Sequence, residues 1–274
     1  MPSIDAPTGT ASGHGFGTAP VFLASISTIL GAILFLRFGY AVGHTGALGT
    51  WLIILLGHAV TIPTALAIAE IATNRRVEGG GEYFIISRSF GTSIGGAIGI
   101  ALYLSQAVSV AFYMIAFAEA FRPLVVDVLG WQFDPRVVSL PGTLLLAGLV
   151  LTHGASMGVR ALWVVAAILA VSIGMFFAGA PVEGYAPETA PLLERIAVPA
   201  PFMIVFAIVF PAFTGMTAGV GLSGDLANPS RSIPLGVMSA TVAGMVVYLL
   251  IVLKLAASAP PEVLAGDQFV MARV

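Results

Sequence analysis

Cysteine is absent from all 274 residues. That removes disulfide frameworks, thiol nucleophiles and cysteine metal sites from the functions open to this chain. Charge is almost as scarce. Asp, Glu, Lys and Arg together make up 9% of the residues, against about a quarter in a soluble globular domain, so a soluble domain is excluded. The formal net charge is −2 with no basic patch, which argues against a nucleic-acid partner. The histidines, His14, His44, His58 and His153, are scattered and form no His-x-x-x-His pair. No Ser-His-Asp set, metal-ligand cluster or Walker motif occurs, which sets aside enzymatic chemistry and direct ATP drive, and no cofactor is expected. Residues 1–18 are polar, rich in Gly and Pro, and free of Lys and Arg, unlike a cleavable signal peptide. They read as a flexible cytosolic tail. Within them, Gly13-His14-Gly15-Phe16-Gly17 lacks the preceding strand that a phosphate loop requires.

What remains is apolar: 58% hydrophobic residues and a mean hydropathy of +1.02. A membrane-spanning helix needs about 20 mostly apolar residues. Seven stretches are expected to span, at about 20–42, 50–72, 94–120, 138–151, 160–178, 200–222 and 233–256. Pro63 is an expected kink in the second, the third is long enough to tilt, and the fourth is short and stops before His153-Gly154. Residues 257–274, with Pro260-Pro261, read as a polar extracytoplasmic loop. With the amino terminus in the cytosol, Arg75, Arg76, Arg88, Arg160 and Arg231 fall in cytosolic loops, while Arg122, Arg136, Arg195 and Arg273 on the other side are diluted by acidic residues, a slight positive-inside bias. The expected protein is an all-α, multi-pass integral membrane protein of the plasma (inner) membrane, with the lipid bilayer as its surroundings. The stretch from Asn74 to Phe84 joins the second and third spans. Its Gly79-Gly80-Gly81 run permits a sharp turn that serves as an inner gate or as a tight re-entry.

The first and sixth spans each carry a break. In the first, Gly31 lets the backbone unwind. The half-helix before it ends near Thr28 and Ile29, whose free carbonyls at the negative end of the helix dipole suit a cation. The half-helix after it starts at Gly31-Ala32-Ile33, whose free amides suit an anion. A packing glycine is the plain alternative. In the sixth, Pro211 has no amide to give and frees a carbonyl one turn earlier. Thr214 adds a hydroxyl, and Gly215-Met216-Thr217 are expected to restart the helix with free amides. A simple proline kink is the alternative there. Tyr113, midway along the third span, has a hydroxyl expected to be buried and to need a partner. Arg37 and Glu119, near the outer ends of the first and third spans, are expected to face each other across an outer vestibule, or Arg37 snorkels to the headgroups. Unwound backbone at membrane depth is kept where it lines a cavity. Broken first and sixth spans point to a five-plus-five inverted-repeat transporter with ion sites at the breaks. Its second repeat is incomplete here, so the chain reads as a piece truncated after the seventh span.

Three motifs carry a resemblance to a known family. Gly31-Ala32-Ile33-Leu34-Phe35-Leu36-Arg37-Phe38 resembles the first-helix signature of the cation-chloride cotransporters, a branch of the amino acid–polyamine–organocation superfamily. Ile71-Ala72-Thr73-Asn74 with 79–91 is similar to that family's loop between second and third helices. Phe210-Pro211-Ala212-Phe213-Thr214-Gly215, then 223–229, is similar to its sixth helix and following loop. The resemblance implies electroneutral movement of chloride with potassium, sodium or both. It implies a potassium site of Thr28, Ile29, Tyr113, Pro211 and Thr214, one chloride on Gly31, Ala32 and Ile33, and a second near Gly215, Met216 and Thr217. Arg37 and Glu119 match an outer-gate pair, and a homodimer is implied for the full-length protein. Two departures stand out: Thr28 where the family often has Asn, and Glu70 where a small polar residue is usual. An amino acid permease on the same scaffold is the competing function; there the first break would hold a substrate carboxylate.

Overall fold

The computed structural model describes residues 15–74, 80–185, 187 and 191–274. Among them the chain is helical, with one isolated bridge between Phe16 and Leu226 and no strand. Helix α1 covers Thr18–Ile29 and α2 covers Ala32–Asn74. Next come α3 (Gly81–Phe90), α4 (Thr92–Ala120), a π turn (Leu124–Val128) and α5 (Arg136–Ala178). The rest is α6 (Phe202–Val209), a 3-10 helix (Phe210–Asp225), α7 (Pro229–Ser258), α8 (Pro261–Gly266) and a final 3-10 turn (Val270–Ala272).

At 1.5 Å per residue, α2 would reach about 64 Å if straight, twice the hydrocarbon thickness of a bilayer. Gly46 resolves this. Its backbone (φ 70°, ψ 172°) is non-helical and divides α2 into two arms, 32–45 and 47–74, with no loop between them. A residue with a Cβ is strained at that φ, and the backbone of 192–194 packs against the same spot. The stretches expected as the first two spans, about 20–42 and 50–72, thus fall on α1 with the first arm of α2 and on its second arm, and the two arms meet at a corner.

The packed centre is made by α1, both arms of α2, the 3-10 helix and α7. Val21, Ile29, Leu34, Phe38, Ile53, Phe213, Ile233, Tyr248 and Ile251 are buried there. Apolar side chains gain little by leaving lipid for a protein interior, so close packing has to hold such a bundle together. Small residues allow it: Gly57 faces the Phe213 ring and Gly244 faces Ile29. By contrast, α4 and α5 expose Tyr103, Leu104, Val108, Leu144, Leu145, Val164 and Ile168, an apolar surface suited to lipid.

Several expectations need correction. The fourth and fifth expected spans, 138–151 and 160–178, are not parted by a loop at His153-Gly154: α5 is helical from Arg136 to Ala178, and within it, among the described residues, Gly158–Ala178 alone is long and apolar enough to cross a membrane. No proline stands between Pro141 and Pro181 to stop it. The expected tail, residues 1–18, is tied down before it ends. Phe16 N–H donates to Asp225 O (2.8 Å), Ala227 N–H donates to Phe16 O (2.9 Å), and Phe16 packs on the core. Residues 1–14 lie outside the described residues. The stretch 257–274 is folded onto the protein, because Leu264, Val270 and Met271 bury themselves. They dock on the 32–45 arm, where Gly39 and Gly43 present a bare backbone. Of the stretch from Asn74 to Phe84, Gly80 turns in the left-handed region and Gly81–Phe84 already belong to helix α3, which runs to Phe90; 75–79 lie outside the described residues.

A Cβ on Gly43 would lie 2.6 Å from Ala265 N and 2.7 Å from Pro261 O, both backbone atoms that cannot rotate away. Gly43→Val is expected to lower stability by about 1–3 kcal/mol through overpacking. Thermal unfolding of the purified protein in detergent reads this, and an unchanged midpoint would refute the docking of α8 on that face.

Candidate functional site

The two interruptions meet at the centre of the bundle. Helix α1 ends at Ile29, Leu30 leaves the helical range (φ −80°, ψ 38°), and α2 starts at Ala32. Opposite them, α6 gives way at Phe210 to the 3-10 helix, where Pro211 cannot donate to an α-helical ladder. Gly215 lets the two backbones touch: a Cβ there would lie 2.7 Å from Ile29 N and 2.8 Å from Thr28 C. Ser25 Oγ donates to Met216 O across the same contact (2.7 Å).

Tyr248 of α7 closes the arrangement. Its hydroxyl lies 2.5 Å from Ile29 O and 3.0 Å from Ala212 O, one carbonyl at each interruption. The side chain is fully buried, stacked on Phe38 at 4.8 Å and edge-on to Phe213 at 5.4 Å. One phenolic proton thus serves two carbonyls of buried residues. This residue carries no motif that marks it in the sequence. The available signal was a tyrosine in the middle of a long apolar helix, where a buried hydroxyl has to find a partner.

A cavity of about 640 Å³ opens beside this contact. It brings together Thr28 of α1, Tyr113 of α4, and Pro211, Thr214, Gly215 and Thr217 of the 3-10 helix; Glu82 of α3 and Ser105, Gln106 and Ser109 of α4 complete its polar wall. A larger cavity of about 910 Å³, between Phe35, Phe176 and Val274, contains none of the expected site residues and is mostly apolar-walled. The smaller one is where the expected residues gather.

Of the expected ion-binding residues, five do not line it, Ile29, Gly31, Ala32, Ile33 and Met216, and neither member of the expected gate pair, Arg37 and Glu119, does. Ile29 gives its carbonyl to Tyr248, and Met216 is buried with its carbonyl taken by Ser25. Gly31, Ala32 and Ile33 stand at the start of α2, and first-turn N–H groups of a helix have no intrahelical carbonyl to bond. Thr28 Oγ1 donates back to Ala24 O (2.8 Å), and Thr214 Oγ1 donates to Pro211 O (2.8 Å). Two expected cation ligands are thus bonded to each other.

Three expectations differ from the structure here. Tyr113 is 43% exposed rather than buried, because α4 lies along α3 and α5 and leaves this face on the cavity. The expected α-helical restart at Gly215-Met216-Thr217 is absent. The 3-10 helix continues to Asp225, so these amides sit inside its i→i+3 ladder. Six of its sixteen residues, Ala212, Gly215, Ala218, Gly219, Gly221 and Gly224, are small, which relieves the crowding of eclipsed i, i+3 side chains. Arg37 and Glu119 are not paired. Arg37 reaches Leu36 O at 3.4 Å, and Arg273–Asp267 (3.2 Å) is the one ion pair among the described residues. The reason is that α2 and α4, which carry them, scarcely touch.

The family model described as Amino acid permease matches residues 20–264. The chain belongs to the amino acid permease family. Relatives of this family member include Solute carrier family 12 member 1 of Homo sapiens, 36% identical over 247 residues, covering 84% of this chain and 22% of that protein. Solute carrier family 12 member 2 of Squalus acanthias is 34% identical over 244 residues, covering 83% and 20%. Solute carrier family 12 member 3 of Homo sapiens is 32% identical over 249 residues, covering 84% and 24%. These are the cation-chloride cotransporter relatives to which the sequence motifs point. The permease-family chain spans between 20% and 24% of their length.

Tyr248→Phe keeps the ring and removes the shared donor, leaving the Ile29 and Ala212 carbonyls without it. The expected loss is about 1–3 kcal/mol, the cost of an unsatisfied buried polar group. It is checked by the thermal midpoint of the purified protein, and an equal midpoint would show that the hydroxyl does not hold the interruptions together.

Proposed function

We propose that the full-length protein is a secondary active transporter that carries chloride with potassium, sodium or both, electroneutrally and by alternating access. The observation that carries this reading is the pair of helix interruptions packed against each other beside one polar cavity. Unwound backbone at membrane depth is maintained where it serves a site. In this reading Thr28, Ile29, Tyr113, Pro211 and Thr214 bind potassium. Gly31, Ala32 and Ile33 bind one chloride. Gly215, Met216 and Thr217 bind a second, once the 3-10 ladder loosens there and releases their amides. An ion of each sign lowers the other's cost of burial, which makes co-transport the natural outcome of a site that has both carbonyl and amide ends.

The architecture in this reading is the five-plus-five inverted repeat, with 19–256 as the transmembrane domain and its second repeat incomplete in these residues. The amino terminus is cytosolic, the membrane is the plasma membrane, and the full-length protein is a homodimer. Arg37 and Glu119 form the outer gate and pair when the outer side closes. The description of the matching family model, Amino acid permease, favours a second reading. A cavity of about 640 Å³ falls within the range of small-molecule sites. There the amides of Gly31–Ile33 would hold a substrate carboxylate in place of chloride.

Full-length protein in proteoliposomes separates the two: chloride-dependent rubidium uptake supports the symporter, and amino acid uptake indifferent to chloride supports the permease. For the symporter, Tyr113→Phe is expected to raise the half-saturating rubidium concentration about tenfold, the equivalent of one ligand of ~1.4 kcal/mol. An unchanged rubidium titration would remove Tyr113 from the site.

A further inference from the structure

Helix α3 does more than close the turn between spans. Gly80 (φ 114°) and Gly81 (φ 53°) bring its first turn down onto the 3-10 helix. Gly81 N–H donates to Ser223 Oγ at 3.3 Å, and the backbone of Val220 lies directly against Gly81. This docking places Glu82 in the wall of the cavity that holds Thr28, Tyr113 and Thr214. Thr217 hydrogen-bonds the Glu82 carboxylate. Its Oε1 is buried and has no hydrogen-bond partner among the described residues. Among the described residues, none that lines the cavity is basic.

An ionised carboxylate with a buried, unpartnered oxygen is uncompensated, and a positive charge has to arrive from somewhere. We propose that Glu82 forms a second cation site at the α3 end of the cavity, where an alkali ion and a proton compete for the carboxylate. The inference rests on the reading of this cavity as the ion path. The neighbouring groups suit such an ion: the Ser105 and Ser109 hydroxyls and the Gln106 amide share the cavity from α4, and hard cations take oxygen ligands. Exchange is balanced. The protonated acid releases its proton to water as the alkali ion binds the carboxylate.

The surroundings of Glu82 set the pH response. From α4, Tyr113 is the titratable group on this cavity; the 3-10 helix and α1 contribute the hydroxyls of Thr214, Thr217 and Thr28. On α3 itself, Tyr83 is adjacent, and Arg88 lies at the far end over the Phe84 ring at 5.4 Å. Arg75, Arg76 and Glu78 lie outside the described residues. Burial pushes the Glu82 carboxyl above the ordinary carboxylate range, and the Thr217 hydrogen bond draws it part of the way back. A proton therefore displaces the alkali ion at milder acidity than at an exposed glutamate. The charge also lies beside the proposed second chloride site, so cation occupancy of Glu82 removes a repulsion that chloride would otherwise meet.

The test is the thermal midpoint of purified full-length protein in detergent, titrated with potassium chloride against choline chloride across a pH series. In the wild type the potassium midpoint is expected to weaken as pH falls. Glu82→Gln keeps the size and the bond to Thr217 but not the charge. It is expected to weaken that midpoint about tenfold at the alkaline end and to flatten its pH dependence, as loss of one nearby charge predicts. Thr217→Val removes a bond that favours the ionised form, so the pH at which potassium binding fails moves upward. A folded Glu82→Gln protein with the wild-type potassium midpoint overturns the inference. If its pH dependence alone is lost, Glu82 carries a proton and no alkali ion. Should Glu82→Gln not fold, an unmoved pH midpoint in Thr217→Val overturns it. Wild-type protein indifferent to potassium at every pH does the same. Chloride-dependent rubidium uptake by wild-type proteoliposomes is scored separately. Its absence sinks the symport reading and leaves the binding result at Glu82 standing or falling by itself.

Discussion

The structure depends on the need to satisfy backbone groups where no water can reach them. Two helices are interrupted where they touch, at Leu30-Gly31 and at Phe210-Pro211, and each interruption leaves carbonyls that need a donor inside the packed protein. Tyr248 answers both with one hydroxyl, and Ser25 answers a third carbonyl, that of Met216. These bonds require α1, the 3-10 helix and α7 to sit within contact distance. Gly215 permits that approach by leaving room for the backbone of Thr28 and Ile29. The buried ring of Phe213 and the bare surface of Gly57 extend the same packing to the long arm of α2.

The polar cavity lies at the edge of this core. One wall is the tightly packed bundle; the other is α4, whose lipid-suited surface and sparse packing set it apart. A site between a rigid unit and a more loosely held one can open or close by a small displacement of either, with no need to break the core. The wall on the core side is itself unusual. Runs of 3-10 helix beyond three or four residues are uncommon because their hydrogen bonds are poorly aligned, yet this one runs for sixteen residues. Of the elements in the core, it is the one whose ladder is easiest to remodel, and it carries Pro211, Thr214, Gly215 and Thr217.

Composition and hydropathy determined the solvent. With 9% charged residues and a mean hydropathy of +1.02, the chain had to be a helical membrane protein, because a bilayer admits apolar helices whose backbone bonds are internal. The breaks were also legible. Gly31 and Pro211 act locally, through a missing Cβ and a missing amide, and local effects can be read from one residue and its neighbours. The same holds for Thr28, Tyr113, Pro211, Thr214, Gly215 and Thr217, which the fold gathers on one cavity.

Tertiary structure alone decided which groups share partners. That Ile29 O belongs to Tyr248, 219 residues away, follows from the packing of α1 on α7 and from no property of either segment. Glu82 stands in the cavity wall because α3 docks on the 3-10 helix, a contact that the glycine-rich stretch before it does not specify. Arg37 and Glu119 seemed matched by depth, but depth does not bring α2 beside α4. The form of the sixth span was likewise undetermined. A proline demands only that an α-helical bond be lost, and the small residues after it let the chain coil more tightly where a free restart was expected. Residues 257–274 looked like a polar loop by composition, yet their few apolar side chains found a glycine-lined face on α2. Sequence thus determined what each segment must avoid, which is unsatisfied backbone and charge in lipid. The three-dimensional packing decided how each segment avoids it, because the donor or surface that satisfies a buried group is most often far away along the chain.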